Sequence, residues 1–487
     1  MRAQFVRTLK RGTLLLAVAA LTVLGLRAYD AQRGAPLAPW HTYVPPDLRA
    51  EDIAGLDWAG YLKAEDATFD AVRVHVTNAL DATDRVPFNR YFDGSRIYPP
   101  HLSRDWNRSF VLEPDGAPVG AVVLLHGLTD SPYSMRHVAQ RYAASGYVAV
   151  AIRLPAHGTV PGALSDVEWE DWQAATRLAV REAQRRAGRH VPLHVVGYSN
   201  GGALALQYAL DAIENEQLVP PDRVVLISPM IGITRFARFA GIAALPAFFP
   251  AFAKAAWLSV IPEFNPFKYN SFPVNGARQS HRLSAALQTQ ILRLAGDGRL
   301  ARVPPVLTFQ SVVDFTVSTR AIVAALYVHL PSNGSELVLF DMNRTSKLSP
   351  LLSDASETVI GSLLPPAPRR FRATVVTNAG TNGSEVVERV TEAGAVTERA
   401  RPLGLRYPPE VFSLSHIAVP FPPTDGLYGS HPDPSEDFGI TLGTLAARGE
   451  VGALVMNLGS LLRMTSNPFF PYMLARIAEG QDARRPR

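Results

Sequence analysis

The chain has 487 residues, with 48 Lys plus Arg against 43 Asp plus Glu and no cysteine. Its net +5 sits at the two ends, since residues 1–11 carry +4 and residues 483–487 carry +3, which leaves the rest at −2. A slightly acidic body argues against a nucleic-acid partner, which would call for a basic face, and the missing thiols exclude disulfides, thiolate metal sites, iron–sulfur clusters and a cysteine nucleophile.

Arg2, Arg7, Lys10 and Arg11 lead into the uncharged stretch GTLLLAVAALTVLGL (12–26), followed by Arg27. A positive start before an apolar run has the form of a secretory signal or signal anchor. The run is shorter than the ~20 residues that span a bilayer, so a span needs extension across Arg27 to Tyr29 with snorkelling at the ends. No small-x-small cleavage site follows Leu26. Residues 1–29 are therefore expected to form an inner-membrane anchor with the body outside the cytoplasm. A cleaved signal, with a periplasmic or secreted product, and a buried N-terminal helix are the alternatives.

Residues 30–112 hold many Pro, Trp and Tyr and little periodicity, and read as an extension wrapped on the core. From Gly120 the pattern alternates. GAVVLLHG (120–127), YVAVAIRL (147–154), LHVVGYS (193–199) and RVVLISP (223–229) are continuous apolar runs of strand length, as expected of strands buried on both faces. Helix patterns lie between them at 131–144, 167–187 and 200–214. The rhythm predicts an α/β class with a mostly parallel central sheet and helices on both faces, whose ligands bind beyond the carboxyl ends of the strands. The apolar, aromatic segment 231–300 reads either as helical core or as a helical cap over a site. The sheet pattern resumes over 301–343, with strands at 305–314 and 335–341 around a helix at 318–330. Residues 344–408 form a further insertion with hairpin-like stretches, and 409–487 read as a mostly helical C-terminal segment.

The chemistry lies at strand ends. Gly197-Tyr198-Ser199-Asn200-Gly201 fits G-x-S-x-G between a strand and an Ala/Leu-rich helix, the setting of a nucleophile elbow in which small residues permit a tight turn and hold Ser Oγ proud of the sheet. His126-Gly127-Leu128 ends the first strong strand. The backbone N–H of Leu128, with that of Asn200, could form a two-donor oxyanion hole, and His126 could alternatively be a catalytic imidazole. Asp314 follows a strand and could orient a histidine through its Nδ1 proton, or be a helix cap or a solvated acid; Asp341 is the competing carboxylate. Of the twelve histidines, His329, His416 and His431 follow Asp314. His329 fits the end of a helix and His431 a surface loop, whereas His416 comes just after the strand-like VFSLS (411–415), a position that suits a general base.

The elbow GYSNGG, the strand end HGLTDSP, the segment RLPAHGT (153–159) and the acid in QSVVDFTV together resemble the α/β-hydrolase fold family, above all its monoglyceride lipase, lysophospholipase and carboxylesterase-type branch. The resemblance covers about residues 110–343 and a short piece around His416. It implies the chain order Ser, acid, His, carried here by Ser199, Asp314 and His416, with the Leu128 and Asn200 amides as oxyanion donors. It further implies a serine hydrolase of carboxylic, lipid-like acyl esters that needs no metal or organic cofactor. SLSHIAVPFPPTDGLYG is similar to a stretch of related bacterial hydrolases of unassigned substrate. The sequence departs from the family pattern in one respect: the histidine usually follows the last strand closely, and here 344–408 intervenes. Other readings are an inert exported hydrolase-fold protein that binds a lipid or protein partner, and a docking role for the 344–408 hairpin.

Overall fold

The computed structural model describes residues 2–33, 36–232, 250–314, 316–345, 363–380, 383–444, 463 and 465–482. Helix α1 (Arg2–Arg33) is followed by three helices of the N-terminal extension, α2 (Pro39–Thr42), α3 (Ala50–Ala54) and α4 (Trp58–His75). The alternating part runs β1 (Phe110–Leu112), β2 (Gly120–Leu125), α5 (Arg136–Ala144), β3 (Tyr147–Ile152), α6 (Trp169–Ala187), β4 (Leu193–Tyr198), α7 (Asn200–Glu214) and β5 (Arg223–Ile227). A two-stranded ribbon, β6 (Trp257–Ser259) and β7 (Phe272–Pro273), leads into α8 (Val274–Gly296), β8 (Val306–Ser311), α9 (Thr319–Ile322) and β9 (Glu336–Phe340). Three more strands, β10 (Arg372–Asn378), β11 (Glu385–Thr391) and β12 (Glu398–Arg406), and a helix, α10 (Phe470–Asp482), follow among the described residues.

All residues of β2, β3 and β4 are buried, as their uninterrupted apolar runs require of strands covered on both faces. In β2 the alternation assigns Ala121, Val123 and Leu125 to one core and Val122 and Leu124 to the other. Helices α6, α7 and α8 contribute to the first core, through residues such as Trp172, Leu206 and Leu287. Helices α5 and α10 contribute to the second, through Tyr142 and Met473 among others. The expected helices on both faces are therefore present.

The ten-stranded sheet has the order β1-β3-β2-β4-β5-β8-β9-β10-β11-β12. Strands from β3 through β10 pair in parallel, while β1, β11 and β12 join antiparallel. The chain leaves β2 for β3 on one side and returns to β4 on the other. The crevice at such a switch point, beyond the carboxyl ends of the strands, is where open α/β sheets bind ligands.

Several expectations are refined. Helix α8 lies in the layer of α6 and α7, with Leu283, Leu287, Ile291 and Leu294 in the first core, so it is sheet cover and not cap; residues 233–249 of the expected cap lie outside the described residues. Within 344–408, β10 pairs in parallel with β9 and continues into a meander, so these residues widen the central sheet and form no free-standing hairpin. VFSLS forms no strand, and 408–444 run as turns, with α10 the only helix beyond them among the described residues; Pro408, Pro409, Pro420, Pro422 and Pro423 remove the amide donors that a ladder or helix there would need. The 318–330 helix is split, α9 giving way to a wider π turn over Val323–Tyr327.

Helix α1 leaves Leu14, Leu15, Leu21 and Leu26 exposed. Among the described residues no helix is long and apolar enough to cross a membrane. The uncharged run 12–26 corresponds to roughly 22 Å of helix at 1.5 Å per residue, against about 30 Å of hydrocarbon, and Arg27 ends it. The expected spanning anchor is thus not supported.

Candidate active site

Ser199 occupies the turn between β4 and α7 at φ 54° and ψ −116°, a conformation costly for a residue with a Cβ and retained where the surroundings over-determine it. Here they do so through backbone and glycine contacts. The Ser199 N–H donates to Ile227 O at 3.0 Å, and the Ser199 carbonyl accepts from Met230 N at 2.9 Å. A Cβ on Gly197 would lie 2.1 Å from Gly201 O, and one on Gly201 would lie 2.2 Å from Leu125 O. Both glycines of the motif are therefore required by close backbone approach, and they seat the elbow against the end of β2.

The structure brings together the three side chains that the sequence singles out. His416 Nε2 lies 2.9 Å from Ser199 Oγ, and His416 Nδ1 lies 2.8 Å from Asp314 Oδ2. The other oxygen, Asp314 Oδ1, accepts from Thr316 N at 2.7 Å and Val317 N at 3.0 Å. Burial alone would raise the Asp314 carboxyl; His416 beside it and these two amides instead hold it below its ordinary value. An ionised Asp314 bound to Nδ1 fixes the histidine tautomer whose Nε2 is free to accept a proton. Tyr198 supports the histidine, with ring centroids 5.3 Å apart and its hydroxyl donating to His416 O at 3.3 Å.

The loop after β2 faces Ser199. A Cβ on Gly127 would come within 3.2 Å of Ser199 Cβ, and Thr129 turns the loop at φ 63°. The Leu128 and Asn200 N–H groups take part in none of the turn and loop hydrogen bonds of the described residues, and Asn200 is the first residue of α7, where an amide has no intrahelical acceptor. Both donors stand beside the elbow. His126 does not touch Ser199. Its Nδ1 lies 2.9 Å from Gly127 O and its Nε2 accepts from Leu154 N at 3.0 Å, while burial holds it well below its ordinary pKa. This neutral imidazole joins the loop after β2 to RLPAHGT and does not act on Ser199. Asp130, buried next along the loop, is pushed up by burial against the opposing charge of Lys268.

The other candidates lie elsewhere. Asp341 accepts from Met342 N at 2.7 Å and Thr377 Oγ1 at 2.7 Å, so β10 holds the carboxylate at the sheet extension. His431 is exposed and contacts Ser430 Oγ at 3.1 Å. The amide of His329 closes the turn after α9, donating to Leu326 O at 2.9 Å.

Sequence reasoning misses Asp425, which lies nine residues after His416 in the same segment. It is fully buried. Its Oδ2 takes Arg136 Nη1 at 2.6 Å and His137 Nε2 at 3.0 Å, and its Oδ1 takes the Tyr133 hydroxyl at 2.8 Å. The start of α5 is thereby tied to the chain that carries the histidine. Asp425, Glu436 and His137 are the one group of metal-ligating type among the described residues, but Arg136 bonds both carboxylates at 2.6 Å, so a guanidinium already supplies the positive charge. The T-D-G turn at 424–426 is the only local signal, and it does not reveal a partner nearly three hundred residues away.

Residues 116–342 match the family model of the serine aminopeptidase S33 hydrolases. Over 203 residues the chain is 29% identical to a thermostable monoacylglycerol lipase of Bacillus sp. (strain H-257), covering 42% of this chain and 73% of that one. Among solved structures it is similar to a metagenome-derived lipolytic enzyme of the LipS and LipT study (23% identity, TM-score 0.39, 49% of this chain and 88% of the other). It is also similar to a soluble variant of monoglyceride lipase from Saccharomyces cerevisiae (16% identity, TM-score 0.36, 47% and 81%). The family match and the strand topology agree: the chain has the α/β-hydrolase fold.

Proposed function

We propose that this α/β-hydrolase cleaves carboxylic esters through an acyl-enzyme on Ser199. The observation that carries the reading is the continuous chain Ser199 Oγ, His416, Asp314, with contacts of 2.9 and 2.8 Å. Neutral His416 takes the Ser199 proton as Oγ attacks the ester carbonyl. The oxyanion forms beside the Leu128 and Asn200 amides, and such donors stabilise charge that develops only in the transition state, each worth on the order of 10²- to 10³-fold in rate. His416 then protonates the leaving alcohol, and water, activated by the same imidazole, releases the acid. The chemistry uses only side chains and amides of this chain.

A lipid-like acyl ester, such as a monoacylglycerol, is the substrate class we favour. The 29%-identical relative is a monoacylglycerol lipase, and the sequence of 231–262 is rich in Ala, Phe and Pro, a composition suited to an acyl chain. We further propose that the body works outside the cytoplasm, because a basic start before an apolar run is the pattern of export. A panel of p-nitrophenyl esters from acetate to palmitate, together with monoacylglycerols, run on wild type and Ser199→Ala, tests the reading. Medium- or long-chain esters should be turned over fastest and Ser199→Ala should be nearly inactive. Comparable rates in the two proteins would overturn the mechanism, and a preference for acetate would overturn the substrate class.

A further inference from the structure

The N-terminal extension grips the loop after β3 through one buried arginine. Arg153 directly follows β3 and is fully buried. Its guanidinium donates to both oxygens of Asp47, at 2.8 and 3.0 Å, and to Glu65 Oε2 at 3.1 Å. The same extension holds its main chain: Ser109 Oγ accepts Arg153 N at 2.8 Å, and the Tyr61 hydroxyl donates to Arg153 O at 2.6 Å. A buried guanidinium is tolerated only where opposite charge and hydrogen bonds answer it, and here both carboxylates come from the extension.

Two hydrogen-bonded routes run from this anchor to the loop after β2. In the first, Leu154 N donates to His126 Nε2 at 3.0 Å, and His126 Nδ1 lies 2.9 Å from Gly127 O. In the second, Asp47 Oδ2 also accepts Ala156 N at 2.8 Å, and the Tyr269 hydroxyl donates to Ala156 O at 3.1 Å. Tyr269 N then donates to Thr129 O at 2.7 Å. The routes take hold at Gly127 and at Thr129, on either side of Leu128. Ala156 and Thr129 both have left-handed backbones, at φ 67° and 63°, which a residue with a Cβ keeps only where its surroundings over-determine it. Asp47 and Tyr269 supply that constraint, since together they bind both main-chain polar groups of Ala156 and the carbonyl of Thr129.

We propose that the N-terminal extension is a working part of the active site, with Asp47 and Tyr269 as positioning residues that fix the Leu128 amide where the oxyanion forms. The inference rests on the ester-hydrolase reading of Ser199. An oxyanion donor acts only when it is already placed about 2.7–3.1 Å from the developing charge, and misplacement by about 1 Å can cost on the order of 10²-fold in rate. A loosened brace therefore weakens stabilisation that exists only in the transition state, which lowers kcat and leaves KM in place.

Steady-state hydrolysis of a p-nitrophenyl ester and amide hydrogen exchange, both on the full chain, test the brace in Asp47→Asn and Tyr269→Phe. The control is Tyr327→Phe, which also removes a buried hydroxyl, bonded to Glu336 O at the start of β9, the end of the sheet away from the site. Asp47→Asn and Tyr269→Phe should each lose at least about tenfold in kcat with KM within about twofold, and the peptide spanning 126–130 should exchange at least about tenfold faster. Tyr327→Phe should match wild type in all three. Should Asp47→Asn fail to fold by far-UV circular dichroism, Tyr269→Phe, which loses only a hydroxyl, carries the test. Wild-type kcat or wild-type exchange of 126–130 in a folded Asp47→Asn or Tyr269→Phe protein, or an equal loss in Tyr327→Phe, would each overturn the proposal. A wild-type protein that turns over no ester would overturn the reading of Ser199 instead, and the exchange rates would then decide the brace by themselves.

Discussion

His416 Nε2 meets Ser199 Oγ at 2.9 Å across 217 residues of chain. The histidine reaches Ser199 only after the polypeptide has added three strands to the sheet beyond β9 and returned over its carboxyl end. The return segment holds its place through contacts at both ends: Tyr198 on His416, and the Arg136–Asp425 pair nine residues further on.

The acid of this relay is open to direct test. Asp314→Asn keeps the size and most hydrogen bonds of the side chain but offers no charge and favours the wrong histidine tautomer. Ester hydrolysis should lose roughly 10³- to 10⁴-fold in kcat with KM little changed, as measured by steady-state kinetics at neutral pH. Asp341→Asn should leave kcat within about twofold, since Asp341 is bound to β10 and does not touch His416.

Gly197→Ala places a methyl 2.1 Å from a backbone oxygen. Backbone cannot yield as a side-chain end can, so the variant should lose about 3 kcal/mol or more, at or above the upper range for overpacking. Gly116→Ala meets nothing within 4 Å and should stay within about 0.5 kcal/mol of wild type. Thermal or urea unfolding distinguishes the two.

How far such features are legible in the sequence varies with the range of the interaction. The parallel strands and α7 are readable because their apolar runs, glycines and lengths are local properties; α7 begins and ends where its Ala/Leu pattern does, at Asn200 and Glu214. Ser199 and Asp314 are readable because each ends such a strand. His416 is readable by elimination among late histidines, although its supposed strand VFSLS is a proline-flanked turn. The sheet extension is only half legible: β10 and β11 look like a hairpin, and nothing local shows that β10 pairs with β9. Asp425 and Arg136 are invisible, because a buried ion pair depends on which distant surfaces the fold brings together.

That pair should dominate the acid stability of the site. Arg136 and Asp425 are both fully buried, and removing one member of such a pair typically costs about 3–5 kcal/mol, the loss expected for Asp425→Asn at pH 7. Burial by itself would raise the Asp425 carboxyl, but Arg136 and His137 bring it well below its ordinary value of 3.8. A depressed folded pKa means that the stabilisation is complete above the unfolded value and is lost as pH falls through the folded one. The stability gap between wild type and Asp425→Asn, followed by urea unfolding, should therefore be widest near neutral pH and shrink below about pH 4. A gap that stays constant down to pH 2, or one under about 1 kcal/mol at pH 7, would be incompatible with this role.

Activation of Ser199 by His416 and Asp314 can be read most directly by covalent labelling. The intact protein is incubated with a fluorophosphonate and its peptides are mapped by mass spectrometry, in parallel with His416→Ala. A single stoichiometric adduct on the peptide that contains Ser199, formed at least about 10³-fold more slowly in His416→Ala, is the expected result. No adduct, an adduct on another serine, or equal labelling rates in the two proteins would contradict a serine nucleophile driven by this triad.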